Sequence, residues 1–170
     1  MWIWWVNMKK SSVAFLGLFT AFAMILSFIE RQIPTFVAIP GVKLGLPNIA
    51  IIVILYKFGK KEAFIISMLR VLLTTLLFTT NGITMLYGIV GALLSFIVMV
   101  LLKNVLSLVT VSILGGVVHN IGQIVVAYFV LQTSQLMYWL PVLIISGVIS
   151  GAIIGLIAAL TYKKLEKIEF

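Results

Sequence analysis

Between Lys9 and Lys163 nearly every ionisable side chain falls in a short gap between long apolar runs, and this segregation decides which solvent the chain can fold in. A helix of about 20 apolar residues is enough to cross a hydrocarbon layer of roughly 30 Å. Hydrophobic residues fill 63% of the 170 positions and charged ones only 9%, well below the charged share of a soluble domain, so an all-α integral membrane protein is expected. Helices are the expected element because lipid offers no partner to an unpaired backbone amide, and the alternating apolar and polar pattern of a membrane barrel is missing.

Residues 13–29, 63–80, 83–102, 107–131 and 139–162 pass the length test. A further run, 44–58, contains Pro47 and Asn48 and is short for a crossing unless residues from Gly41 onward join it. Counting it gives one compact polytopic domain over 1–170, a bundle of six transmembrane helices. The short connections at 57–62, 103–104 and 132–138, and at Asn81-Gly82, make neighbouring helices antiparallel. With six spans, Lys9, Lys10, Lys57, Lys60, Lys61, Lys103, Lys163, Lys164 and Lys167 share one side, against Arg31 and Lys43 on the other. Basic loops stay in the cytoplasm, so both termini are expected inside. The net charge of +8 is then a topology signal and a surface that favours anionic lipid. No helix-turn-helix, RNA-binding or zinc pattern accompanies it, and nucleic acid is not an expected partner.

Absences narrow the function classes. Without cysteine there are no disulfides, thiolate metal sites or thiol nucleophiles. One histidine and four acids cannot build most catalytic centres: Glu30 and Glu62 are placed at opposite membrane faces, and Glu166 and Glu169 in the tail. No Gly-rich phosphate loop appears. Neither catalytic residues, nor a metal site, nor a cofactor is expected, and the chain is not expected to be an enzyme. Ala21-Phe22-Ala23 resembles a signal-peptidase site, but cutting there would split an apolar run, so it is taken as the interior of a span. Met1-Trp2-Ile3-Trp4-Trp5 has the make-up of an interfacial aromatic anchor.

Arg70 stands alone inside a span, with Ser67 and Thr74 on its face by helical spacing and no carboxylate in any span to neutralise it. Such a residue either leans toward the cytoplasmic end and bonds backbone carbonyls, or it serves a binding site. A second polar cluster, His119, Asn120 and Gln123 with Gly122, lies near the middle of the fifth span. His119 and Gln123 are one turn apart, Asn120 is on their flank, and Gly115 and Gly116 leave room beneath. Polar groups at similar depth on two spans are cheapest in one shared site, so Arg70, Thr74, His119, Asn120 and Gln123 are expected to face a common cavity. The longest connection, 30–45, carries Pro34, Pro40 and Gly41 and is the natural lid. Gly147, Gly151, Gly155 and Ala159 recur every four residues in the last span, and Gly17 and Ala21 do so in the first. Each stripe suits close helix packing, either within the bundle or against a partner subunit.

Three segments carry a resemblance: Leu44-Gly45-Leu46-Pro47-Asn48-Ile49, Leu69-Arg70-Val71-Leu72-Leu73 and His119-Asn120-Ile121-Gly122-Gln123. In this order and spacing, over about residues 13–160, the chain resembles the bacterial family labelled heptaprenyl diphosphate synthase component I, also called Gx transporters. Pro47 departs from the pattern, which has a small non-proline residue before the asparagine. The family is grouped with the S components of energy-coupling factor (ECF) transporters, six-helix proteins of the bacterial cytoplasmic membrane. These capture small solutes and dock on a transmembrane coupling subunit that carries two ATPase subunits. A solute-binding role is expected for Arg70, His119, Asn120, Gln123, Asn48 and Thr74, and the resemblance implies a docking face at Gly17 and Ala21.

The family's two labels point to different functions. A prenyl diphosphate synthase needs paired aspartates to hold magnesium against diphosphate, and this chain has no aspartate at all. A substrate-binding subunit of an uptake transporter is therefore the leading expectation, and a non-catalytic membrane component associated with heptaprenyl diphosphate synthesis is the alternative. Arg70 beside amides suits an anionic solute, and Phe36, Phe78, Tyr87, Tyr128 and Trp139 suit a ring or an isoprenoid.

Overall fold

The structure, a computed structural model, describes residues 10–32, 45–78 and 82–167. Its elements are six α-helices: α1 (Lys10–Gln32), α2 (Asn48–Lys57), α3 (Lys60–Phe78), α4 (Gly82–Leu102), α5 (Leu108–Leu131) and α6 (Leu140–Glu166). A 3-10 helix, Ser134–Trp139, leads into α6, and no strand occurs among the described residues. The expected lid residues Pro34, Pro40 and Gly41, the N-terminal aromatic segment, Lys43 and Asn81 lie outside the described residues.

Among the described residues four stretches are long and apolar enough to cross a membrane: Ala14–Gln32, Met85–Leu102, Leu108–Leu131 and Ser134–Glu166. The chain is thus a helical protein of multi-pass character. α3 has 19 residues, but Lys60, Lys61 and Glu62 occupy its first turn and Arg70 its middle. α2 has ten residues, about 15 Å of helix at 1.5 Å per residue. It is apolar all round, and a helix without a polar face belongs in the interior. Ile49, Ala50, Ile51, Ile52, Val53, Ile54 and Leu55 are all buried, in a core shared with Ala23 of α1, Ile66 of α3 and Ile154 of α6.

The ends of the helices sort into two groups. At one end Lys103 donates from Nζ to the Leu55 carbonyl (3.2 Å), the Tyr56 hydroxyl donates to the Lys103 carbonyl (3.3 Å), and the Tyr56 and Tyr162 rings meet edge to face. Phe58 packs there against Phe15 and Phe19. At the other end Arg31 donates to the Phe78 carbonyl (3.1 Å) and lies over its ring. α1 and α3 therefore run in one direction and α2 runs back between them. α5 begins where the Ser107 hydroxyl accepts from the Thr110 amide, an N-cap, and ends at Gln132 in the left-handed region.

The two small-residue stripes have different fates. A Cβ placed on Gly151 would lie 2.6 Å from the Ile113 Cα, one on Gly147 2.9 Å from the Val117 Cα, and one on Gly155 2.9 Å from the Val109 Cα. The α6 stripe is closed against α5. A Cβ on Gly17 of α1 would meet nothing within 4 Å, and Ala21 is exposed on the same helix.

Gly151→Ala should lower stability by about 1–3 kcal/mol through overpacking, whereas Gly17→Ala, at an open helical position, should not destabilise. Thermal unfolding of the purified protein in detergent measures both. An unchanged melting temperature for Gly151→Ala would contradict the seam.

Candidate functional site

The site is built around a helix contact that a missing side chain permits. Val71 of α3 places Cγ1 3.1 Å from where a Cβ would stand on Gly88 of α4. α3 and α4 are antiparallel neighbours, and each residue of a helix turns about 100° from the last. In such a pair the residues just before each contact position, Arg70 and Tyr87, turn to the same side of the plane through the two axes. Arg70 is half-buried with Nε closed from the surface and without a hydrogen-bond partner, and the Tyr87 hydroxyl is closed and unpartnered as well.

Glu30 ties the end of α1 to the turn before α2. α1 continues through Glu30 to Gln32, past the end expected at residue 29. Its carboxylate accepts hydrogen bonds from the Gly45 and Leu46 amides, just ahead of α2. Gly45 makes the turn at φ +75°, and its carbonyl accepts from the Asn48 amide at 2.8 Å, so Asn48 opens α2 directly beside the bonds that Glu30 makes.

The α5 cluster divides. A Cβ on Gly91 would lie 3.0 Å from Gln123 Cγ and 3.1 Å from His119 Cε1, so both side chains lie against α4. Three residues after Gly88, Gly91 falls between the directions of Gly88 and Tyr87 on the helix, so His119 and Gln123 are on the side to which Arg70 and Tyr87 turn. Asn120 is directed elsewhere: its Nδ2 donates to the Leu143 carbonyl of α6 at 2.9 Å, beside Gly147. A step of one residue swings a helical side chain by about 100°, which takes Asn120 from α4 to α6. Thr74, one turn beyond Arg70, places Oγ1 3.5 Å from the Met24 sulfur of α1. No group of three or more His, Asp or Glu that could hold a metal occurs among the described residues.

Long apolar helices around a buried polar site define a multi-pass membrane protein. The family model described as heptaprenyl diphosphate synthase component I matches residues 19–161, and the chain belongs to that family. No curated protein and no solved structure matches it.

A double-mutant cycle tests Glu30 as a counter-charge of Arg70. Arg70→Met and Glu30→Gln each leave a charge uncompensated in a low-dielectric interior, while the double variant removes both. The double variant should cost less than the sum of the singles by about 0.5–3 kcal/mol in unfolding measurements. Additive effects would show that the two groups do not interact.

Proposed function

We propose that the chain is the substrate-binding, S-component-like subunit of an ECF-type uptake transporter in the bacterial cytoplasmic membrane. In this reading six helices cross the membrane with both termini inside, and a small solute enters from outside. Arg70, Gln123 and His119 contact the solute, with Asn48 and Thr74 at the margin and Asn120 holding α5 to α6. The chain is not an enzyme, and it has no Gly-rich phosphate loop, so energy comes from a transmembrane coupling subunit bearing two ATPase subunits.

The observation that carries this reading is the unpartnered Nε of Arg70 deep in an apolar bundle. A buried donor left without an acceptor costs about 1–3 kcal/mol, a penalty that a bound solute relieves. The open Gly17 and Ala21 positions on α1 support docking, because close approach of a partner helix needs small residues that the fold has not already covered. A second reading, a non-catalytic membrane component associated with prenyl diphosphate synthesis, is favoured by the description of the matching family.

Affinity purification from native membranes, with subunits and small molecules identified by mass spectrometry, separates the two. ATPase subunits in the eluate are expected, and Gly17→Leu should reduce their recovery without lowering the melting temperature of the isolated chain. Recovery of a soluble prenyl synthase instead would establish the second reading.

A further inference from the structure

The C-terminal end of α6 becomes charged where its apolar outer face stops. From Leu140 to Leu160 the helix runs about 30 Å, the thickness of a hydrocarbon layer. Ile149, Ile153, Leu156 and Leu160 follow one another at steps of four, three and four residues, which sets them on one face, and all four are exposed. Lys163 and Lys164 continue the same spacing and are exposed as well. The stripe thus passes from apolar side chains into two ammonium groups at the depth where a bilayer changes from acyl chain to headgroup.

Packing brings a third lysine to this corner. In the seam between α5 and α6, Gly147, Gly151 and Gly155 face Val117, Ile113 and Val109, so the helices run antiparallel and the connection before α5 reaches the last turns of α6. The ring contacts agree: Lys103 Nζ lies 5.9 Å from the Tyr56 ring centre, and Tyr56 meets Tyr162, the neighbour of Lys163, at 5.9 Å. One hydrogen of the Lys103 ammonium goes to the Leu55 carbonyl, and an ammonium has three. Acids cancel little of this charge. Glu62 turns back over the start of its own helix, with Oε2 3.3 Å from where a Cβ would stand on Gly59, and Glu166 offsets one of Lys163, Lys164 and Lys167.

We infer that this corner seats one anionic phospholipid of the bilayer: Lys163 and Lys164 hold its phosphate, Lys103, one ring pair away, adds to their field, and the acyl chains lie along the α6 stripe. Lysine near an anionic lipid surface is attracted to it, and the phosphate is a strong acceptor for its ammonium. A soluble anion would meet the lysines and leave the stripe below them uncovered. A zwitterionic lipid would cover the stripe but bring its own cation to the lysines. An anionic phospholipid matches both parts.

Native mass spectrometry of the full purified chain, titrated with phosphatidylglycerol or with phosphatidylcholine of identical acyl chains, reads the affinity for the first bound lipid. Phosphatidylglycerol is expected to bind about tenfold more tightly. Lys163→Gln combined with Lys164→Gln should weaken it by about fivefold for each charge removed, and Lys163→Arg combined with Lys164→Arg should retain it. Both positions are exposed, so the folded chain survives these changes. Lys60→Gln combined with Lys61→Gln removes the same charge from the start of α3 and should weaken binding by less than about twofold, because screening limits the reach of a distant charge. Inorganic phosphate in tenfold excess over the lipid, by about the same reasoning on the uncovered stripe, should not displace it. Equal affinity for the two lipids overturns the inference. An equal loss from the two glutamine pairs would show diffuse attraction without a seat, and displacement by phosphate would show an anion site that does not need a lipid; either result overturns it too.

Discussion

Polar groups inside an apolar helix bundle need partners that lipid does not offer, and the two ends of the short, buried α2 show how this fold supplies them. At the start of α2 the partner is Glu30, which the end of α1 carries past residue 29. Its carboxylate takes the amides of Gly45 and Leu46, so one side chain ties the end of α1 to the turn before α2. At the far end of α2, Lys103 donates to the Leu55 carbonyl. A short helix has many orphan amides and carbonyls for its length, and where no water can reach them other residues must. A charged side chain from α1 serves the turn just before α2, and one from the connection after α4 serves a carbonyl of its last turn, on either side of a ten-residue helix buried in the core.

The remaining helices are held by backbone approach. Gly91 meets Gly122 between α4 and α5, and Gly147, Gly151 and Gly155 meet the α5 backbone from α6. Lipid-exposed apolar side chains gain little by pairing with each other, so close van der Waals contact and bonds such as Asn120 to Leu143 fasten this block. α3 joins it at Gly88, and the candidate site lies beside that joint. The site therefore stands between a glycine-packed body, α4 to α6, and the charge-linked group of α1 to α3. α1 keeps Gly17 and Ala21 uncovered on its outer surface.

Much of the fold was legible because apolar run length is a direct physical requirement of lipid. α4, α5 and α6 fall close to the runs 83–102, 107–131 and 139–162. The end of α1 was not legible: Glu30, Arg31 and Gln32 look like loop residues, yet α1 continues through them, with Arg31 bonded to the Phe78 carbonyl and Glu30 to amides before α2. The stripes at Gly17 and Gly151 have the same spacing, and only the position of the neighbouring helix tells a closed one from an open one. The same holds for Asn120 beside His119, since a rotation of about 100° has meaning only once α4 and α6 are placed. Tyr87 had a single faint signal, an aromatic hydroxyl next to a glycine in an otherwise apolar run.

The central claim is that Gln123 and its neighbours face one water-accessible site opening to the outside, while residues at comparable depth on outer surfaces face lipid. The chain has no cysteine, so single substitutions give clean probes. Thiol reagents react with the thiolate, which requires water at the sulfur. Labelling of Gln123→Cys by a charged, membrane-impermeant thiosulfonate applied to intact cells is the most direct test, with Ile145→Cys, 59% exposed on α6, as the lipid-facing comparison. The account predicts modification at 123 from the outside and none at 145. An unreactive 123, or one that reacts only when the cytoplasmic side is opened, would contradict it.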